Sequence, residues 1–193
     1  ALASDIHGKN HHVAGSFSNH VRGVELLTGT GEIVVCDAER RPELFQATAG
    51  GMGLTGIILS MAVHLPKVDG PAVHMETIRV GSLDEFLDVS AESAGHRYTV
   101  GWVVTMKRGR SLGRGLLFRG DHAPAGAVAR RGLVSRLPSR LLNGRLFQSN
   151  YLLNRLTFRA FNTLYYRRAL RRRSRRTVGV EPFFFQLDSV ANW

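Results

Sequence analysis

The sequence predicts an α+β protein, and three observations lead to that prediction. Its 193 residues are 44% hydrophobic and 21% charged, which is enough apolar surface for a folded core. Residues 1–66 contain short apolar runs, rich in β-branched residues and bounded by glycine, as strands are. After Pro66 the pattern becomes strand, helix, strand, strand, which indicates an antiparallel sheet carrying a helix on one face.

The first part of the chain is predicted to form a small sheet and a short helix. Strands are expected at Val24–Leu27, Glu32–Cys36 and Thr55–Leu65, and a helix at Pro42–Thr48. Gly29 and Gly31 supply the positive-φ residues of a tight hairpin between the first two strands. Pro at an early helical position and glycines just beyond the end are typical helix boundaries.

A break at Lys67–Pro71 predicts a boundary between two domains, residues 1–66 and 67–193. Beyond it, strands are expected at Val73–Val80, Tyr98–Met106 and Gly115–Arg119. A helix is expected to begin after Ser82, because Glu85 lies three residues on and completes a capping box.

The end of the chain is amphipathic and then strongly basic. Apolar residues at helical spacing within Leu133–Arg176 predict one or two helices, and Val180–Leu187 is predicted to be a buried strand. Seven arginines fall within Arg167–Arg176. Three interpretations stay open for this run: a solvated mobile loop, a site for anionic lipid headgroups or a lipid phosphate, and a nucleic-acid contact.

Composition narrows the possible classes of protein. A net charge of +11 and a pI near 11.1 suggest a polyanionic partner or an anionic surface. The sequence has no apolar run of the roughly 18 residues that a membrane span needs, and no recognisable signal peptide. Its single cysteine, Cys36, excludes an internal disulfide and is expected to be a small buried residue of a strand.

Two segments have the composition of ligand-binding loops. Residues 4–20 hold four histidines, His7, His11, His12 and His20. A metal site is one interpretation, but Gly8, Asn10 and Gly15 disfavour the helix that the His7 to His11 spacing would need. The other is a glycine-rich loop whose backbone approaches a cofactor. In Gly50–Ile58 four glycines precede a strand rather than a helix, so this segment is not a dinucleotide fingerprint.

Taken together and in order, these motifs resemble the vanillyl-alcohol-oxidase superfamily of FAD-linked oxidases, which has a PCMH-type FAD-binding domain. Within it, the resemblance is nearest to the decaprenylphosphoryl-β-D-ribose oxidases and the sugar-lactone oxidases. The motifs that carry it are Asp5–His12, Gly15–Phe17, Leu26–Thr28, Glu43–Thr48 and Gly50–Ile58. Looser matches extend it to the end, at Tyr98-Thr99, Trp102, Leu112–Gly115, Asn154–Phe158 and Leu187-Asp188.

The resemblance implies the second half of an FAD-binding domain at residues 1–66. It implies the first part of an antiparallel-sheet substrate (cap) domain at 67–193, with a basic loop near 167–176. The chain is therefore expected to be an internal fragment that lacks the family's phosphate-binding loop, holds FAD weakly and is inactive alone. The implied activity is oxidation of a secondary alcohol of a sugar or lipid-linked sugar, with hydride transfer to flavin. The alternative is a basic binding module for an anionic membrane or nucleic acid.

Individual positions also follow from the resemblance. Ser4, Asp5, Ile6, His7, Gly8 and Ile58 are expected to contact FAD, and His7, Gly8, Lys9, Trp102 and Phe184 to contact the substrate. His7 could orient or deprotonate the substrate hydroxyl, and Lys9 could bind an anionic portion, which makes both candidate catalytic residues. Phe184 departs from the resembled oxidases, which have tyrosine there, so the substrate can differ.

The implied partners are a sugar or polyprenyl-phosphate-sugar substrate and a reductase that completes an epimerisation, within cell-wall biosynthesis. The expected location is cytoplasmic or peripheral to a membrane, with the membrane contact made through Arg167–Arg176. Nucleic acid is the least favoured partner, because the basic run has no accompanying reading helix or aromatic platform.

Overall fold

The structure is a computed structural model that describes residues 1–129 and 154–185. The chain divides into two compact units, Ala1–Lys67 and Val68–Trp193. Each unit contains an antiparallel sheet and helices, so the α+β prediction is confirmed. No helix in the described ranges is long and apolar enough to cross a membrane.

The first unit is built on a three-stranded antiparallel sheet. Its strands are β1 (Val21–Leu27), β2 (Ile33–Asp37) and β3 (Ile57–Val63), in the order β2-β1-β3. Two α-helices, α1 (His11–Ala14) and α2 (Pro42–Thr48), and two 3-10 helices, Leu2–Ser4 and Phe17–His20, complete it. The predicted β1–β2 hairpin is confirmed, and Gly31 has the predicted positive φ, 82°. The prediction of a positive φ at Gly29 was wrong.

The core of this unit lies beneath β1 and β2. Leu2, Val21, Val24 and Cys36 form a buried cluster, against which side chains of α2 and β3 pack. Cys36 is fully buried, as predicted. Burial is the main reason that the pKa of its thiol is raised, with the Asp37 carboxylate adding to the effect, so the side chain behaves as a small apolar group.

The second unit is built on a four-stranded sheet in which every neighbouring pair is antiparallel. Its strands are β4 (Ala72–Val80), β5 (Tyr98–Val103), β6 (Gly115–His122) and β7 (Arg173–Gly179), in the order β5-β6-β4-β7. Its helices are α3 (Leu83–Glu92), α4 (Arg155–Arg167) and α5 (Val180–Phe184), with a 3-10 turn at Gly109–Ser111.

The predicted helix on one face of this sheet is confirmed by α3, and further helices cover the other face. On one face, Ile78, Val80 and Leu117 pack against Phe86 and Val89 of α3. On the other face, a cluster of aromatic and aliphatic side chains joins the sheet to α4 and α5. Its buried members are Val73, Met75, Tyr98, Leu116, Phe118, Tyr165, Ala169, Val178 and Phe183.

The start of α3 agrees with the capping prediction. The Ser82 hydroxyl accepts a hydrogen bond from the Glu85 amide at 3.2 Å. The Glu85 carboxylate in turn accepts from the Gly81 amide at 2.7 Å. These bonds satisfy amides at the helix start that have no partner within the helix itself.

The basic loop predicted near 167–176 was wrong over its second half, which is strand β7. Ion pairs hold two arginines of the strand, and Arg172 just before it, to acidic residues of α3 and β4. The pairs are Arg172 with Glu85, Arg173 with Glu92 and Arg175 with Glu76. Counter-charges from neighbouring elements therefore offset the repulsion that favours a solvated loop.

The strand predicted at Val180–Leu187 was also wrong, because Val180–Phe184 is helix α5. Pro182 lies in its first turn, where the missing N–H costs nothing. The prediction of one or two helices within Leu133–Arg176 is confirmed for Arg155–Arg167. Its segment 133–153 and the motif at 187–188 lie outside the described residues.

Candidate functional site

In the first unit, the residues before α1 lie against the glycine loop, Gly50–Ile58. The Gly50 amide donates to the Leu2 carbonyl at 3.0 Å, and the Met52 amide donates to the Ala3 carbonyl at 2.7 Å. Gly50 has a φ of 74°, which glycine adopts without strain. The two segments that the resemblance assigns to the cofactor therefore adjoin one another.

Asp5 anchors this arrangement through its carboxylate. It accepts hydrogen bonds from the Ser16 hydroxyl at 2.7 Å, the Ser18 amide at 2.8 Å and the Ser18 hydroxyl at 3.1 Å. Its own backbone is left-handed, with a φ of 38°. Partial burial works to raise the pKa of Asp5, but these hydrogen bonds outweigh it and hold the pKa below its ordinary value. The side chain is thus used to join two segments of the unit, a role that the sequence analysis missed.

Replacing Asp5 by alanine is expected to destabilise the first unit by about 2 kcal/mol, because the three hydrogen bonds of the carboxylate are lost. The alanine would also have to adopt the left-handed backbone conformation of Asp5, which is unfavourable for a residue whose side chain cannot form a hydrogen bond. Hydrogen exchange of the Ser18 and β1 amides should accelerate accordingly. Glu39→Ala, a change at an exposed carboxylate of the same unit, should alter exchange by less than about 0.5 kcal/mol. Equal protection in Asp5→Ala and wild type would contradict the anchoring role.

His7 is exposed and borders the same segment. Its backbone forms an isolated antiparallel bridge with Ser16, and its ring centroid lies 4.8 Å from that of His11. His11 begins α1, a four-residue helix capped by Asn10 and Gly15. His7 lies outside this helix, so the two histidines do not share a helix, as the sequence predicted. In the described ranges, no group of three or more His, Cys, Asp or Glu side chains is placed to hold a metal ion.

The other predicted cofactor residues differ in exposure. Ser4, Ile6 and Gly8 are exposed, and Ile6 retains 51% of its accessible surface. Lys9 is half-buried, and burial lowers the pKa of its ammonium group below the ordinary value. Ile58 is also half-buried, because it packs against the core of the unit.

In the second unit, Trp102 and Phe184 pack against the same aromatic cluster, on the face of the sheet covered by α4 and α5. The Trp102 ring lies 4.9 Å from the Tyr165 ring, and its indole N–H donates to the Asn162 amide oxygen at 3.0 Å. The Phe184 ring is 5.0 Å from the Tyr98 ring. The structure therefore brings these two predicted substrate residues to one cluster.

Asn162 is a further polar residue of this cluster that the sequence analysis missed. It retains only 8% of its accessible surface. The signal was available, because Asn162 lies on the apolar stripe of α4 with Phe158 and Tyr165 at helical spacing. A buried amide in such a stripe normally has a hydrogen-bond partner, and here the partner is Trp102.

The two segments of the first unit have the features that a flavin site needs. Ser4–Gly8 offers exposed backbone and one exposed apolar side chain, Ile6, which suits the face or edge of a planar ring. Because the Asp5 carboxylate is occupied by Ser16 and Ser18, its contact with a cofactor would be made through the backbone. The imidazole of His7 is exposed in the same segment, where it can donate or accept a hydrogen bond.

Comparison with known proteins agrees with this chemistry. The chain is 34% identical to decaprenylphosphoryl-beta-D-ribose oxidase of Mycolicibacterium smegmatis over 100% of its own length and 43% of the relative's. It is 39% identical to cytokinin dehydrogenase 1 of Arabidopsis thaliana over 42% of the chain and 13% of the relative. It is 30% identical to (R)-6-hydroxynicotine oxidase of Paenarthrobacter nicotinovorans over 44% and 20%, respectively.

No family model matches the chain. The chain spans less than half the length of each of these three relatives. The relatives differ in the substrates that their names give, but all three are oxidoreductases with a PCMH-type FAD-binding domain. The chain belongs to the FAD-linked oxidases of the vanillyl-alcohol-oxidase superfamily.

Proposed function

We propose that this chain contributes flavin-binding and substrate-binding residues to an FAD-dependent oxidoreductase that oxidises a secondary alcohol of a sugar or lipid-linked sugar. The observation that carries the proposal is the contact between the Leu2–Asp5 segment and the glycine loop, which leaves His7 and Gly8 exposed at one surface. The family supplies FAD as the cofactor, and the name of the Mycolicibacterium relative suggests the sugar.

Ser4, Ile6 and Gly8 would hold the flavin, whose chemical contribution when bound is to accept a hydride. Ile6 would pack its exposed side chain against the ring, and the Gly8 backbone would approach closely because no side chain intervenes. Ile58 has only part of its surface free for this purpose, since the rest lies against the core.

His7 would act on the substrate hydroxyl as a hydrogen-bond partner or base. Its ring is exposed, and imidazole exchanges a proton near neutral pH. Lys9 is half-buried and would contribute a positive charge toward an anionic part of the substrate. Because burial lowers the pKa of Lys9, its ammonium group loses this charge more easily at alkaline pH. Trp102 and Phe184 would supply apolar contact, and Phe184 cannot offer the hydrogen bond of a tyrosine.

Flavin binding is the first test. FAD is titrated into this chain and into a chimaera in which the chain replaces the aligned segment of the Mycolicibacterium oxidase, with absorbance and fluorescence quenching as readouts. We expect tight binding by the chimaera and weak binding by the chain alone. If neither binds FAD although both are folded by circular dichroism, the proposed function is wrong.

In the FAD-loaded chimaera, His7→Ala is expected to slow flavin reduction by the sugar substrate by about 10²- to 10⁴-fold, the usual contribution of a general base. Anaerobic stopped-flow absorbance measures this step directly. His64→Ala, an exposed histidine on the segment after β3, is the control and should leave the rate unchanged. An unchanged rate in His7→Ala, with FAD still bound, would exclude His7 from catalysis.

A basic binding module is less well supported than an oxidoreductase. Arg172, Arg173 and Arg175 are paired with carboxylates. Arg168 lies over the Tyr165 ring at 3.8 Å and donates to its hydroxyl. Four of the seven arginines of the run therefore have partners within the unit. A reductase partner and a peripheral membrane location remain proposals that accompany the oxidoreductase function.

A further inference from the structure

A cavity of about 280 Å³ lies beside the C-terminal end of β5, within the second unit. It is lined by Val104, Met106, Lys107, Arg159, Asn162 and Thr163. None of the residues discussed as flavin or substrate contacts lines it, although Asn162 is hydrogen-bonded to one of them, Trp102.

The charge of this cavity is positive and uncompensated. Its lining holds two cations, Lys107 and Arg159, and no carboxylate. Across residues 1–129 and 154–185, neither cation forms an ion pair with an acidic side chain. Lys107 is half-buried and Arg159 is exposed at the rim, so their charges are partly sheltered from solvent but still reachable.

A second cavity, of about 360 Å³, shows the opposite arrangement and serves as a comparison. It contains three arginines, Arg119, Arg175 and Arg176, and two carboxylates, Glu76 and Asp121. Arg119 and Arg175 are both hydrogen-bonded to Glu76, so most of the positive charge of this cavity is offset by the protein itself. The cavity beside β5 has no such balance, which favours an anionic ligand there.

Asn162 adds neutral donors to the two cations. Its oxygen is fixed toward Trp102, because an indole N–H can only donate. The amide nitrogen then bears the two remaining hydrogens, and it is hydrogen-bonded to no other residue in the described part of the chain. Thr163 contributes no donor, since its hydroxyl donates to the Arg159 carbonyl at 2.7 Å. The amide nitrogen is not fully buried, so it can donate to a ligand in the cavity.

We propose that this cavity binds a phosphate group, held by Lys107, Arg159 and the Asn162 amide. Guanidinium and ammonium groups are the side chains that proteins use for phosphate, and a neutral N–H donor completes the set for its oxygens. The phosphate can belong to a soluble ion or ester, or to a lipid headgroup, and the experiment distinguishes these sources.

Trp102 provides the readout, because its indole is bonded to Asn162. The sequence has two tryptophans, so Trp193→Phe leaves Trp102 as the single emitter. In that background, sodium phosphate titrated against sodium chloride of equal ionic strength is expected to give a saturable fluorescence change in the millimolar range. Vesicles of phosphatidylglycerol, compared with phosphatidylcholine, form the second arm. Saturation by phosphate identifies a soluble source, and saturation only by phosphatidylglycerol identifies a lipid source.

Three variants test the site itself. Lys107→Gln with Arg159→Gln should abolish saturation in both arms. Asn162→Asp keeps the oxygen that Trp102 needs but replaces the donors by negative charge, and should weaken binding at least tenfold. Arg171→Gln removes one positive charge, half of what the double variant removes, from an exposed position of the same unit and should leave binding unchanged.

The proposal is overturned if neither arm saturates in the parent protein, or if Arg171→Gln weakens binding as much as the double variant. It is also overturned if the double variant, with an unchanged thermal melt, binds as the parent does. No flavin is present in these titrations, so their outcome is independent of whether the chain takes part in flavin chemistry.

Discussion

Glu76→Gln is expected to lower the free energy of unfolding of the second unit by about 3–5 kcal/mol, the range found when one partner of a buried ion pair is removed. The Glu76 carboxylate is 7% exposed and accepts from Arg119 Nε at 2.8 Å and from Arg175 Nε at 2.9 Å. Arg119 is itself 7% exposed, so the variant leaves a buried guanidinium without its counter-charge. Urea denaturation followed by Trp102 fluorescence measures the change.

Glu92→Gln is the matched control, since it removes the same charge from an exposed pair with Arg173. The control should change the unfolding free energy by at most about 1 kcal/mol. Similar losses of unfolding free energy in the two variants would mean that burial of the Glu76 ion pair adds nothing to the stability of the second unit.

Acid should reproduce the effect of Glu76→Gln. Burial works to raise the pKa of Glu76, but the hydrogen bonds and charges of Arg119 and Arg175 outweigh it and lower the pKa. A carboxylate with a lowered folded pKa stabilises the protein above its unfolded pKa, about 4.3. That stabilisation is lost as the pH falls through the folded value. The stability difference between wild type and Glu76→Gln should therefore be constant near neutral pH and shrink below about pH 4.3.

Phe183→Ala is expected to cost about 3–5 kcal/mol, as truncation of a fully buried aromatic ring does. The Phe183 ring is completely buried and lies 5.9 Å from Tyr98 and 5.2 Å from Phe184. Removal of the ring leaves a cavity beneath β4 and β6 and weakens the packing of α5 against the sheet. Thermal or urea unfolding of the variant measures the loss.

Phe185→Ala is the control, two residues away, because Phe185 retains 59% of its accessible surface. This variant should lower the free energy of unfolding by less than about 1 kcal/mol. A loss of under 1 kcal/mol in Phe183→Ala would contradict the position of α5 against the sheet. Since Phe184 belongs to the same short helix, Phe183→Ala should also weaken substrate binding if Phe184 contacts the substrate.

Local signals were enough to predict the elements whose boundaries they mark. The glycines at 29 and 31 predicted the β1–β2 hairpin, and the Ser82–Glu85 capping box predicted the start of α3. These features act between residues close in sequence, so a pattern of a few residues contains the relevant physics. The assignment of Ser4–Gly8 and Ile58 to one cofactor came from the family resemblance rather than from such patterns.

The elements that the sequence patterns predicted wrongly depend on contacts between residues far apart in sequence. Arg173–Arg176 form a strand because β4 pairs with them and because acidic residues from α3 and β4 offset their charge. The short apolar run around Phe183 suits either a strand or a buried helix, and only Pro182 pointed toward a helix start. The anion cavity was equally hidden, since Lys107 and Arg159 are 52 positions apart in sequence.

The arginines of β7 have a consequence for how molecules of this protein meet one another. In the described part of the chain, β7 lies at the margin of its sheet and pairs only with β4. The open margin of a sheet exposes backbone donors and acceptors that can recruit a strand from another molecule and seed aggregation. Charged side chains along an edge strand, here Arg173, Arg175 and Arg176, hinder such pairing. The basic run therefore helps to keep the protein from polymerising through this margin.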